Sequence, residues 1–149
     1  MTRLYISREL RQEVREQADG LCEYCLLAET DGASHQVDHI ISVKHGGETR
    51  LDNLAYACLF CNLHKGTDLG SIVRQTGELA RFFNPRRDRW GEHFDLEGIW
   101  LRGRSPIGEV TERIFQFNSP DRLSERELLI AAKVYPSAAA QQRMSARDR

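Results

Sequence analysis

The sequence predicts an α+β fold, on three observations. Two C-x-x-C pairs, Cys22/Cys25 and Cys58/Cys61, account for every cysteine in the chain. Between them lie two short apolar strings, Val37–Ile41 and Leu54–Ala57, separated by a polar, Gly-rich stretch, the pattern of two strands joined by a loop. In the second half, Ser105-Pro106 and Ser119-Pro120 each precede apolar residues at helical spacing, the signature of a capped helix start with proline at its first position.

The elements follow in order. Ser7 can cap a helix over residues 8–19, with Leu10, Val14 and Ala18 on one face and Gly20 ending it. The first cysteine pair follows directly, then a loop over 26–36 that leads into the strand Val-Asp-His-Ile-Ile at 37–41. Residues 42–53 are polar and Gly-rich and form a second loop. The strand Leu54–Ala57 leads into the second cysteine pair and a helix. Beyond Gly70, residues 71–83 read as a hairpin turning at Thr76-Gly77. Asn84-Pro85 breaks the chain before one or two helical turns, and Asp95–Leu101 reads as a strand. Two helices close the pattern, with apolar positions Ile107, Val110, Ile114 and Phe117 in the first and Leu123, Ile130, Ala131 and Val134 in the second, which Pro136 stops. The expected organisation is therefore a core over 1–70, an α+β extension over 71–136 packed on it, and a disordered tail over 137–149, whose apolar content is low.

A chain of 149 residues makes one domain, or a domain with an appendage. It can bury roughly 68–70% of its unfolded surface and needs no disulfides. Hydrophobic residues at 40%, charged residues at 29% and a mean hydropathy of −0.53 give a soluble, globular profile. No run of 18 apolar residues exists, which excludes a membrane-spanning helix. The N-terminal MTRLYISRELRQEV holds no apolar run of the signal-peptide kind. The expected location is the cytoplasm, where four cysteines are not expected to be disulfides.

The net charge of −1 does not advertise a nucleic-acid binder, but its distribution is uneven. Residues 21–70 carry three bases against seven acids, and residues 71–149 carry fourteen bases against eleven acids. Of the 21 bases 18 are Arg, the better fork for planar phosphate contacts, although a GC-rich genome produces the same bias.

Thiolates in C-x-x-C turns sit at the separation of two corners of a zinc tetrahedron, and two such pairs complete a closed structural site. The rival readings fit less well. A haem attachment needs His after the second Cys, where Leu26 and Asn62 stand. A redox C-x-x-C motif explains one pair, not two. The 32 residues between the pairs exceed the usual zinc-ribbon spacer of roughly 15–20, so the zinc is expected to clamp the base of an inserted two-strand unit.

That insert holds the order V-D-H-I-I, G-G, D-N-L and C-x-x-C-N-x-x-K-G over about residues 20–66. It resembles the HNH endonuclease family, the zinc-clamped branch of the ββα-metal (His-Me finger) nucleases. The resemblance implies that His39 is the general base for an attacking water, that Asp38 and Asn62 hold a divalent cation, and that Asn53 tethers the inter-strand loop and aims His39. A neutral imidazole suits proton abstraction near neutral pH, and carboxylate and amide oxygens suit Mg²⁺ or Mn²⁺. Many members carry His directly after the last Cys. Here Asn62 stands there, an H-N-N variant, with His64 two residues on. Two residues are roughly 200° apart on a helix, so Asn62 and His64 cannot both face the site. Asn62 is preferred as ligand, with Lys65 on the same face and able to meet a phosphate.

The remaining histidines have plainer expectations. His35 and His45 read as solvated loop residues, with His45 also a candidate to border substrate, and His93 as a packing residue beside Phe94. Residues 81–89 carry Arg81, Arg86, Arg87 and Arg89 against one acid, Asp88. These arginines are candidate phosphate contacts, set against the equal alternative of a solvated turn. The implied function is a metal-dependent endonuclease that nicks nucleic acid, in the first instance DNA, with structural Zn²⁺ and catalytic Mg²⁺ or Mn²⁺. The alternatives are a non-catalytic zinc-stabilised nucleic-acid-binding module and a zinc-clamped protein-interaction domain. Sequence specificity, biological process and oligomeric state are not legible.

Overall fold

The computed structural model describes residues 5–30 and 33–146. Asp31 and Gly32 of the expected first loop, the first four residues and residues 147–149 lie outside them. Helix α1 spans Arg8–Gln17, and the Ser7 hydroxyl accepts from Leu10 N at 3.1 Å. This is an N-cap that satisfies one of the helix's unpaired amides. Val14 and Ala18 on its inner face pack with Ile6, Leu54 and Tyr56 in a small core. After Gly20, which turns the chain at φ +69°, come the first cysteine pair and β1 (Gln36–His39), antiparallel to β2 (Leu54–Ala57), with Gln36 opposite Ala57 and His39 opposite Leu54. Alternate β2 residues serve two cores. Leu54 and Tyr56 face α1, whereas Ala55 and Ala57 join the larger core that holds all four cysteines, as a period of two requires. Helix α2 (Leu59–Lys65) follows with Cys58 at its N-cap.

The chain then forms a hairpin of β3 (Gly70–Ile72) and β4 (Leu79–Arg81), with Gly77 at φ +73° in the turn. A short helix α3 (Trp90–His93) leads into a second hairpin, β5 (Phe94–Glu97) with β6 (Trp100–Gly103). This corrects the single strand expected over 95–101. Gly98 adopts φ +62° and folds the segment back on itself, as glycine allows at no steric cost. Helix α4 (Pro106–Ile114) is capped by Ser105, which accepts from Gly108 N at 2.9 Å. Helix α5 spans Pro120–Ala131. Its expected apolar face is another correction: Val134 is exposed, Leu123 and Ile130 are half-buried, and the buried residues of α5 are Arg122 and Arg126.

The tail departs furthest from expectation. Residues Ala138–Ser145 form a helix, α6, capped by Ser137, with Ala140 fully buried. Arg143 donates to Gln17 O at 2.9 Å and to Asp19 at 3.2 Å. The Ala, Gln, Arg and Met residues of α6 favour helix, and tertiary docking holds a segment of eight residues that is too short to be stable alone.

The larger core unites the cysteines with Tyr24, Phe82, Phe83, Trp90, Phe94, Phe115 and Phe117, and Ala140 of α6 joins it. Edge-on aromatic contacts run through it: Tyr24 to Phe115 at 5.0 Å, Phe82 to Phe115 at 5.0 Å and Phe83 to Phe94 at 5.4 Å. Trp90 Nε1 donates to Tyr24 O at 2.8 Å, which ties the turn between the first two cysteines to α3. The fold is α+β, and among the described residues no helix is long and apolar enough to cross a membrane.

Candidate metal centres and active site

Cys22 and Cys25 sit in a tight turn and Cys58 and Cys61 at the start of α2. In each pair the second amide approaches the first sulfur, Cys25 N to Cys22 Sγ at 3.5 Å and Cys61 N to Cys58 Sγ at 3.4 Å. The four sulfurs lie within 4.8 Å of one another and are buried, and Cys25 Sγ and Cys58 Sγ stand 3.8 Å apart. A tetrahedral zinc with Zn–S bonds of about 2.3 Å places its sulfurs about 3.8 Å apart, so the donor set and its spacing fit that ion. Burial pushes the Cys22 and Cys61 thiols up, while hydrogen bonds from Cys22, Cys58 and Cys61 hold Cys25 low. Without a cation the cluster cannot ionise together. A divalent ion removes that conflict.

The candidate active site lies where β1 meets α2. β1 ends at His39, and its last two side chains diverge, as adjacent strand residues do. Asp38 Oδ2 faces Lys65 Nζ of α2 at 3.0 Å, and His39 Nε2 lies 2.9 Å from Thr49 Oγ1 in the loop between the strands. Asn62, one turn before Lys65, donates through its amide to Gln36 Oε1. Gln36 and Asp38 share one face of β1, and Asn62 and Lys65 share one face of α2, so Asp38 and Asn62 border the same seam. Asp38 Oδ2 is buried, and the Lys65 ammonium is its ion-pair partner there. A carboxylate and an amide oxygen at one seam are hard donors that fit Mg²⁺ or Mn²⁺.

The electrostatics follow from burial. It holds the His39 imidazole below its ordinary value, with Asp38 pulling it up and Lys65 pushing it down. It raises the Asp38 carboxyl against the opposing pull of Lys65. Asn53 holds the loop at three points: its side-chain oxygen accepts from Ile41 N at 2.9 Å, and its amide donates to Ile41 O at 2.9 Å and Glu48 O at 2.8 Å. Gly47 was not singled out by the sequence beyond the G-G pair. A Cβ there would lie 1.7 Å from Ile41 O, so only glycine fits beneath this staple.

Several residues stand elsewhere than the sequence suggested. Lys65 is 2% exposed, and its ammonium donates to His39 O at 2.8 Å. It braces the site and does not reach out to a phosphate. Arg86 is also internal, donating to Leu54 O at 3.1 Å and to the buried Glu23 carboxylate. Arg81 forks onto Asp88 at 2.7 and 2.9 Å. Arg87 is exposed, and with Arg81, Ile41, Lys65 and Leu69 it lines a cleft of about 190 Å³. Arg89 lines a different cavity, beside Glu23 and Arg143. His45 is exposed on the wall of a larger cavity of about 390 Å³ that shares Leu69 and Arg81 with the cleft. His35, expected in solvent, is half-buried, with Nε2 2.7 Å from Leu27 O and its ring edge-on to Tyr56. His93 packs edge-on to Phe83 and pairs with Ser105 Oγ at 2.7 Å, and His64 is half-buried on α2.

No curated protein matches the chain. The HNH endonuclease family model matches residues 22–68, from the first zinc-pair cysteine to just beyond α2. The match contains the whole strand–loop–strand–helix unit and all four cysteines, and HNH domains act on nucleic acid. Sequence order, fold and cysteine cluster are all consistent with that match, and residues 22–68 are similar to an HNH endonuclease domain.

Proposed function

We propose that the chain hydrolyses phosphodiester bonds in nucleic acid, DNA in the first instance, with His39 as general base and Asp38 and Asn62 as ligands of a catalytic Mg²⁺ or Mn²⁺. The observation that carries this reading is the setting of His39. Its Nε2 is engaged by Thr49 Oγ1 at 2.9 Å, and burial favours the neutral ring. In the tautomer whose Nε2–H donates to Thr49, Nδ1 holds the lone pair that accepts a proton from water. The water oxygen then attacks phosphorus and the bond to the 3′ oxygen breaks. A bound divalent cation supplies charge neutralisation on the phosphate and the departing oxygen. Asn53 keeps the loop, and with it Thr49, in place. The exposed Arg87, beside the cleft that Lys65 floors, is the arginine best situated to meet the backbone of the substrate. One such site cuts one strand, so a monomer nicks.

One observation favours a non-catalytic, nucleic-acid-binding role instead: the Lys65 ammonium already neutralises Asp38. Cleavage of supercoiled plasmid with Mg²⁺, Mn²⁺ or EDTA, comparing wild type with His39→Ala, separates the two. Metal-dependent nicking that disappears in the variant is the expected result. A folded, zinc-loaded wild type that binds DNA and never nicks it would establish the binding role, and nicking that survives His39→Ala would remove His39 from the mechanism.

A further inference from the structure

Arg122 lies outside the matched domain, in the first turn of α5, yet its guanidinium ends on the second cysteine pair. Nη2 stands 3.6 Å from Cys58 Sγ and 3.5 Å from Cys61 Sγ, and Nη1 stands 3.6 Å from Cys61 Sγ. Nη1 also stands 3.3 Å from Phe115 O, and the rings of Phe60 and Phe117 have centroids 5.5 and 5.7 Å from Cζ. The residue is 5% exposed. Arg126, one turn further on the same face, donates instead to the carbonyls of Ile99 and Phe117 and so is satisfied without the sulfurs.

A guanidinium cannot shed its charge, and burying it without an anion is strongly unfavourable. Four thiolates around one divalent cation carry a net charge of −2, and the sulfurs hold it where the guanidinium points. We infer that Arg122 is the buried counter-cation of the metal-bound tetrathiolate, and that through it occupancy of the zinc site and docking of α5 are one linked equilibrium. This rests on the reading of the four cysteines as a zinc site. The coupling runs both ways. With metal bound, Arg122 has its anion and α5 is held to the core. With metal removed, the tetrathiolate that Arg122 faces is no longer assembled around a cation, and α5 loses part of what holds it. The extension beyond residue 70 thereby belongs to the metal centre as an outer shell that the cysteine motif does not contain.

The test uses the full chain, zinc and a chelator, with no cleavage readout. Zinc affinity measured by chelator competition should fall about 10–100-fold in Arg122→Met, as for other groups that support metal ligands from behind. Arg122→Lys, which keeps the charge but loses the planar fork, should lie between Met and wild type. A folded Arg122→Met variant that holds zinc as tightly as wild type overturns the inference. Hydrogen exchange on wild type during stepwise zinc withdrawal decides the matter even if that variant does not fold. Protection in residues 120–131 should be lost in step with zinc, and α5 protection that outlasts the metal overturns the coupling. A wild-type protein purified without metal, and unable to take up zinc, would refute the zinc reading itself. Loss of nicking alone would touch neither.

Discussion

Arg86 and Arg87 are neighbours in the chain and differ in everything that matters physically. Arg86 reaches inward to Glu23, whose side chain is 0% exposed and whose other support is Tyr56 N at 2.9 Å, with Arg143 at 3.7 Å. Removing one partner of a buried pair leaves an uncompensated charge, at about 3–5 kcal/mol. Arg87 is exposed at the cleft, where truncation changes stability by no more than about 0.5 kcal/mol. Arg86→Ala should therefore lose stability in a denaturant titration, whereas Arg87→Ala should keep it and bind DNA more weakly, with the salt dependence of binding reduced by about one phosphate contact. The reverse pattern would exchange their roles. Lys65 teaches the same lesson, since a basic residue that borders a surface cleft is a brace inside the protein.

At the scale of an element, the loop between β1 and β2 carries Thr49, the hydrogen-bond partner of His39, and on the proposed mechanism it aims that base. The Asn53 side chain closes the loop by accepting one hydrogen bond and donating two, and the Gly47 position accepts no side chain because Ile41 O and Asn53 Nδ2 would lie 1.7 and 2.9 Å from a Cβ. An alanine there must push the loop off its staple and carry Thr49 away from His39. Small displacements of a catalytic group can cost about 100-fold in rate, while strain of this kind in a folded chain costs about 1–3 kcal/mol. Gly47→Ala is thus expected to nick far more slowly than it loses stability, measured as nicking rate against melting temperature on the same preparation. A variant that cuts at the wild-type rate would show that the staple does not set the geometry of the base.

At the scale of the whole molecule, one large core carries both the cysteine cluster and the aromatic residues of the second half. The last helix is part of that arrangement: Ala140 is buried, and Arg143 reaches Gln17, Asp19 and Glu23 across the start of the chain. A chain ended at residue 136 should lose about 1–3 kcal/mol, a drop in melting temperature of about 2–4 °C for each kcal/mol at this size. An unchanged melting curve would mean that α6 docks without contributing.

The sequence by itself determined the parts whose rules are local. Ser7 and Ser105 cap their helices, Thr76-Gly77 turns its hairpin, Leu54–Ala57 is a strand, and the two C-x-x-C pairs meet in one buried cluster. Each depends on residues a few positions apart, or on a spacing with one chemical solution. Only the tertiary structure decided that α5 buries arginines, that Lys65 and Arg86 point inward and that the tail folds. Nothing in the local pattern around Arg122 points to Cys58 and Cys61, some sixty positions earlier, which stand beside it in the fold. Arg86 reads as a phosphate contact until Glu23 does. The physical reason is common to all of them. Apolar periodicity records where hydrophobic area is buried, but a charge is buried when its counter-charge is, and that partner is chosen by folding over distances that no local pattern spans.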